Sequence, residues 1–260
     1  MDISLVRFCQ PIVLMIIFAS SVSVAGITEV RTISEVPKKI RSVYFVDVDN
    51  TWISAQGNKG TDAWFGHHWD LFKRVSDPDP YGRALGLWIG AQSQIQILPV
   101  EHDTVQFTQD LQANGNLVFG LTSREPALST LTLAQLMDVG IEPSNPFEDV
   151  SISRMEHEDM KEDAAFIHGV FYVGGNDKGK ALGHLFKKLE FQPESVTFID
   201  DKRRHVENVE QMCLSLKIAF DGFRYAALDE KVASFQETVI SRLLELTDLQ
   251  EKLDFLSGVP

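Results

Sequence analysis

The stretch Ser42-Val43-Tyr44-Phe45-Val46-Asp47-Val48-Asp49-Asn50-Thr51 decides how this chain reads. It is an apolar, β-rich run that ends by presenting two carboxylates at i and i+2, followed by Asn and Thr. Side chains alternate along an extended strand, so Asp47 and Asp49 share a side, and a turn just past the strand aims both into one pocket. Two acids so placed can divide a group transfer, Asp47 as nucleophile and Asp49 as its proton partner. In a parallel sheet the ligand crevice opens outside the carboxyl ends of the strands, where this run delivers them. A calcium loop needs Gly at its sixth position and Glu at its twelfth, and here those positions hold Trp52 and Asn58. Helix capping accounts for Asn50 or Thr51, but not for a paired acid closing an apolar strand.

Outward from that run, strand-like and helix-like segments alternate. A helix opening at Pro99 and Glu101 carries Val105, Phe107 and Leu111, with Gly115 as its cap, and a strand over residues 116–122 follows. A second helix spans residues 126–139 and ends at Gly140. Residues 166–173, with Gly169 inside, predict a hairpin or a bent strand. A helix over 180–189, a strand over 195–199, a helix with Val206 and Val209, and a last strand over 216–220 complete the alternation. Residues 229–256 form an amphipathic run that predicts a helix packed back on the sheet, and residues 27–39 are a polar lead-in with no strong period. This order specifies an α/β fold: a doubly wound, mostly parallel sheet covered on both faces.

Three more strand or helix ends carry polar groups in a suggestive order. The run Asn116-Leu117-Val118-Phe119-Gly120-Leu121-Thr122-Ser123-Arg124 is a strand ending in hydroxyl residues. Asn176-Asp177-Lys178-Gly179-Lys180-Ala181-Leu182 puts a lysine at a helix start, and Ser195-Val196-Thr197-Phe198-Ile199-Asp200-Asp201-Lys202 is an apolar strand ending in adjacent acids. Together with Asp47-Val48-Asp49-Asn50-Thr51, these resemble the four ordered motifs of the haloacid dehalogenase (HAD) superfamily. The likeness spans residues 42 to about 222, and within the superfamily the chain is similar to the DUF2608 group of bacterial proteins. Asn50 stands where many HAD phosphatases have Gly, and Asn tolerates the left-handed backbone nearly as well.

The resemblance implies a phosphomonoesterase working through an aspartyl-phosphate on a small phosphorylated metabolite. Two acids beside a dianionic substrate need a cation, and magnesium suits an all-oxygen site. By family likeness its ligands are the Asp47 carboxylate, the Asp49 main-chain carbonyl and Asp200, with Asp201 supporting the shell or holding Lys178. Thr122, Ser123 and Lys178 bind the phosphate in that scheme. Residues 27–51 and 99–260 are then the core domain, and residues 52–98, which hold all four tryptophans, a cap or lid. His67 and His68 are adjacent, which suits a shared metal ion poorly.

The whole composition is compatible with this. At 260 residues and 44% hydrophobic content the chain can build a large core, while a net charge of −13 excludes nucleic acid as a partner. Arg7 precedes an apolar run from Pro11 to Ala19, with small residues up to Gly26, so residues 1–26 read as a signal peptide cleaved near residue 25 or 26. That run is short of the roughly 20 apolar residues of a membrane span, and the expectation is an exported protein, periplasmic or secreted, without stable membrane insertion. Cleavage leaves Cys213 as the one cysteine, a small buried residue with no internal disulfide partner. A nucleotide-binding loop at Gly174 to Lys180 fails at Ala181, where Ser or Thr is required. Phosphotransfer, which turns on whether a closed lid admits water, and a binding module of the same fold are the alternatives.

Overall fold

The computed structural model describes residues 26–235; the apolar segment through residue 25 and most of the amphipathic run 229–256 lie outside them. Numbered along the chain, the strands are β1 (Thr28–Val30), β2 (Val43–Val46), β3 (Ile53–Ala55), β4 (Ile97–Pro99), β5 (Leu117–Thr122), β6 (Val150–Ile152), β7 (Ala164–Ile167), β8 (Val170–Tyr172), β9 (Ser195–Asp200) and β10 (Ala219–Tyr225). Eight of them form one sheet in the order β1-β10-β9-β2-β5-β8-β7-β6, parallel from β1 through β8 and antiparallel across β7 and β6.

All four residues of β2 are buried, as a central parallel strand covered on both faces requires. Val43 and Phe45 pack with Leu182 and Leu185 of α5 (Lys178–Lys188) and Val206 and Val209 of α6 (Arg203–Leu216). Tyr44 and Val46 face the other layer, with Phe107 and Leu111 of α3 (Thr104–Ala113) and Leu136 of α4 (Ser129–Asp138). The sheet is therefore doubly wound. From β2 the chain runs first to β5 on one side and later to β9 on the other, so the switch point lies beyond the carboxyl end of β2.

At that end the chain makes an excursion. β3 and β4 pair antiparallel as a stem, and between them α1 (Asp62–Arg74) and α2 (Pro80–Gln92) form a helical hairpin. Thr61 caps α1, its hydroxyl accepting from the Trp64 N–H; Asp79 caps α2, accepting from the Gly82 N–H, with Pro80 at the first helical position. These helices were not legible in the sequence, because aromatic and histidine side chains ring α1 and blur its period. The tryptophans separate by role. Trp52 belongs to the main body: it is fully buried, and its Nε1–H donates to Thr108 Oγ1 of α3 at 3.2 Å. Gly120 makes room for it, since a Cβ there would lie 3.1 Å from the Trp52 ring. Trp64 and Trp69 stay in α1, and Trp88 turns its buried ring toward the switch point.

Two expectations are corrected. The polar lead-in contains β1, an edge strand parallel to β10, which three residues are too few to announce. The last strand is β10, not residues 216–220: α6 continues through Leu216 and is ended by Lys217 in the left-handed conformation, φ 59°. Leu216 read as strand because it is apolar, yet it is half exposed on the helix. The hairpin at 166–173 holds: His168 and Gly169, at φ 47° and 81°, make the two-residue turn between β7 and β8. Residues 229–235 are helical, and they dock on the stem and the insertion: Lys231 Nζ donates to the Ala55 carbonyl and Phe235 meets His67 edge-on.

Candidate active site

Asp47 follows β2 directly, and its N–H donates to the Ile199 carbonyl of β9, so the sheet itself fixes its position. The chain then coils tightly. Asn50 takes φ 62°, and the Trp52 N–H reaches back to the carbonyls of Asp47 and Val48. This turn brings Asp49 to the same pocket as Asp47, with Thr122 and Ser123 from the end of β5 beside them.

Lys178 opens α5, capped by Asp177. Its Nζ, with no solvent exposure, donates to Asp47 Oδ1 at 2.5 Å, Asp200 Oδ2 at 2.6 Å and the Leu121 carbonyl at 2.9 Å, which uses all three of its protons. The reach depends on Gly179: a Cβ there would fall 2.0 Å from the Asn208 carbonyl, so only glycine lets α5 begin this close to α6. Burial alone would discharge the amine, but Asp200 and Asp47 hold its pKa above the ordinary lysine value.

Asp200 also accepts from His205 Nδ1 and from the Lys202 N–H. Burial opposes its ionisation, and Lys178 and His205 overcome that, keeping it well below the usual carboxylate range. Asp201 does not hold Lys178, as one reading of the sequence had it. The strand end aims Asp200 at the lysine, and Asp201 instead accepts from Asn50 Nδ2 at 3.3 Å.

Asp47, Asp200 and Asp201 can each offer an oxygen within 4.8 Å of one another. Three carboxylates around one lysine leave surplus negative charge in a desolvated place. Burial, against the pull of Lys178 and with repulsion from Asp200 and Asp201, pushes the Asp47 pKa up, and burial takes Asp201 up to about 7. An all-oxygen donor set short of positive charge fits a hard divalent cation such as magnesium. The Asp49 carboxylate is not in this group.

The Asp49 side chain has another partner that sequence reasoning missed. Buried Arg124 grips it with both ends of its fork, Nε to Oδ2 at 2.9 Å and Nη2 to Oδ1 at 2.8 Å. Burial would raise the Asp49 pKa, but the guanidinium lowers it below the ordinary value. Arg124 Nη1 donates to Thr132 Oγ1 and Gln135 Oε1, while Gln135 Nε2 donates to Gln92 Oε1. Gln92 Nε2 in turn donates to the carbonyls of Gly60 and Trp88, so the chain of bonds runs from Asp49 into the helical insertion. The Trp88 ring stacks on the guanidinium, 5.0 Å from its carbon. The available signal was the position of Arg124, immediately after two strand-end hydroxyl residues. Thr122 Oγ1 accepts the Arg124 N–H at 3.1 Å, fixing the hydroxyl at the pocket.

Above the acids lies a cavity of about 90 Å³, roofed by Phe65, Tyr81, Leu85 and Trp88 of the insertion. Two contacts close its sides: Lys202 Nζ to Asp62 Oδ2 at 2.5 Å, and Tyr81 Oη to Glu125 Oε1 at 2.7 Å. His67 and His68 stand with rings 5.3 Å apart at 87°, and His68 Nδ1 bonds the Trp64 carbonyl, an arrangement unlike a shared metal site.

Solved structures with a similar course include a haloacid dehalogenase-like hydrolase of Bacteroides fragilis, at 13% identity and TM-score 0.43 over 71% of this chain and 87% of that one. A structure titled "predicted phosphatase" from Clostridium acetobutylicum aligns at 8% identity and TM-score 0.40, over 76% of this chain and all of that one. Among sequences, a Chlamydia pneumoniae protein named provisionally for the outer membrane is 22% identical over 76% of each chain, and a Chlamydia trachomatis protein of like name is 22% identical over 85% of each. The Asp47 turn, the Thr122 strand end, Lys178 and the Asp200 strand end all fall within residues 27–256, which match the family model described as "Protein of unknown function (DUF2608)", and the chain belongs to that family.

Proposed function

We propose that this protein is a magnesium-dependent phosphomonoester hydrolase of HAD type, acting on a small phosphorylated substrate through an aspartyl-phosphate on Asp47. One observation carries the reading: four sequence-distant polar ends meet at a single switch point, with Lys178 bonded to both Asp47 and Asp200. A structural lysine needs no such setting, since burying it among two acids is costly unless the charges serve a purpose.

In this reading Asp47 attacks phosphorus, Thr122 and Ser123 hold the phosphoryl oxygens, and Lys178 joins them by exchanging one of its three protein hydrogen bonds for one to phosphate. Asp47, Asp200 and the Asp49 main-chain carbonyl, with Asp201 supporting them, would hold magnesium, which would supply positive charge beside the transferring group. Asp49 protonates the leaving oxygen and later takes a proton from the attacking water. Arg124 keeps Asp49 ionised while the site is empty, which suits the second of those tasks. For the first, Asp49 must leave the fork and take up a proton from water before the leaving oxygen departs, and an incoming phosphoryl dianion has the charge to draw the guanidinium off. Residues 52–98 serve as the lid that excludes bulk water during these steps.

Residues 27–260 should hydrolyse an aryl phosphate with magnesium present and stop when the ion is chelated. Lack of turnover on every phosphoester with magnesium, manganese or cobalt would leave a binding module instead. Export is part of the proposal: the Arg7-led apolar run and the outer-membrane names of the relatives support it, and among the described residues no helix is long and apolar enough to cross a membrane. Amino-terminal sequencing of native material should begin near Gly26 or Ile27, and an intact Met1 on a cytoplasmic protein would refute it.

A further inference from the structure

The roof of the cavity carries information about the group that leaves. Resting on the phosphatase reading, we propose that the substrate is the monophosphate of a small apolar alcohol or phenol, not a sugar, glycerol or nucleoside phosphate.

The ionisable groups of the wall are engaged in pairs: Asp47 with Lys178, Asp49 with Arg124, Asp62 with Lys202, Glu125 with the Tyr81 hydroxyl, and His205 with Asp200. The first and last belong to the phosphoryl half of the pocket, and the Asp62 and Glu125 pairs tie the insertion to the body. What the insertion presents without a polar partner is apolar, Phe65 and Leu85, continued on the body by Leu128, while the Trp88 ring lies over the Arg124 guanidinium. Phe65 itself packs edge-on against Tyr81, with ring centroids 5.7 Å apart.

A polyol placed against Phe65, Leu85 and Leu128 gives up water bonds to its hydroxyls and receives none from those side chains in return. An aryl or short alkyl group loses no hydrogen bond there and gains contact.

The test compares benzyl phosphate with glycerol 3-phosphate on residues 27–260 with magnesium; both leaving groups are alcohols, so intrinsic reactivity is nearly matched. Glucose 6-phosphate and AMP complete the panel. The kcat/KM for benzyl phosphate should exceed that for glycerol 3-phosphate by about tenfold or more, the scale of discrimination by apolar contact. The variant Leu85→Gln should shrink that ratio; because a ratio is read, a partly inactive preparation does not obscure the result. Equal or faster turnover of glycerol 3-phosphate or glucose 6-phosphate would overturn the substrate class and leave the phosphatase reading standing. No turnover of any ester would remove the phosphatase reading, and the substrate class with it.

Discussion

The two halves of the pocket are built on opposite principles. The half contributed by the sheet is charged: Lys178 and Asp200 are fully buried, and the polar atoms of these two side chains are held at 2.5 to 3.2 Å. The half contributed by α1 and α2 is aromatic and aliphatic toward the cavity, and it meets the body through a few polar ties at its margin. Chemistry demands fixed charges at fixed distances, which strand ends supply because the ladder leaves them little freedom. Selection of a leaving group demands only a shaped wall, which a helical hairpin supplies and can change without disturbing the sheet.

The largest effect should come from the charged half. Asp47→Asn removes the nucleophile and should lower kcat by about 10⁴-fold or more, with no acyl-phosphate trapped on acid quench. Asp49→Asn should cost about 10² to 10⁴, and less for an aryl than an alkyl ester, because a good leaving group scarcely needs the proton. Phosphoenzyme on Asp47→Asn, or equal loss on both esters for Asp49→Asn, would break the division of labour between these acids.

Next comes stability. Lys178→Met leaves Asp47 and Asp200 buried beside an apolar chain, and should destabilise metal-free protein by about 3–5 kcal/mol in urea unfolding. A loss under 1 kcal/mol would mean that water, not protein, surrounds these acids.

A smaller effect should appear in the ties between the halves. Gln135→Leu strips a partner from both Arg124 and Gln92, at a cost of about 1–3 kcal/mol for buried groups left unpaired. Amide exchange should quicken in α1 and α2 while β2, β5 and β9 stay protected. Uniform loss of protection would show that the insertion and the sheet open as one unit.

The smallest effect is a pH dependence. Asp201, pushed up to about 7 from an ordinary 3.8, binds in the folded protein a proton that the unfolded chain has lost over that window. Metal-free stability should therefore fall as pH rises from about 4 to about 7. Magnesium should raise Tm by several degrees at pH 7.5 and by less at pH 5, seen by calorimetry. The reverse order would mean that the three carboxylates are not where the ion binds.

The sequence carried the charged half almost entirely. Asp47, Thr122, Lys178 and Asp200 each end or begin an element whose apolar pattern is continuous, and such patterns survive in a single sequence because buried parallel strands tolerate little else. The insertion was legible only as a region that broke the alternation. Its helices were hidden by side chains that serve the cavity and not a core, and Arg124 looked like an ordinary charge after a strand.

By itself the sequence determined the alternation of strands and helices in the main body, the doubly wound sheet and the acids that close β2 and β9, because these follow from local periodicity and from the rule that parallel strands deliver their ends to one crevice. Tertiary structure alone decided that Lys178 bonds Asp47 and Asp200 and not Asp201, that Arg124 takes both oxygens of Asp49, and that Trp52 serves the body while Trp88 serves the pocket. Those choices depend on how closely two elements approach, as Gly179 permits against α6 and Gly120 permits beneath Trp52. Distances between residues far apart in the chain are set by packing, and no local pattern records them.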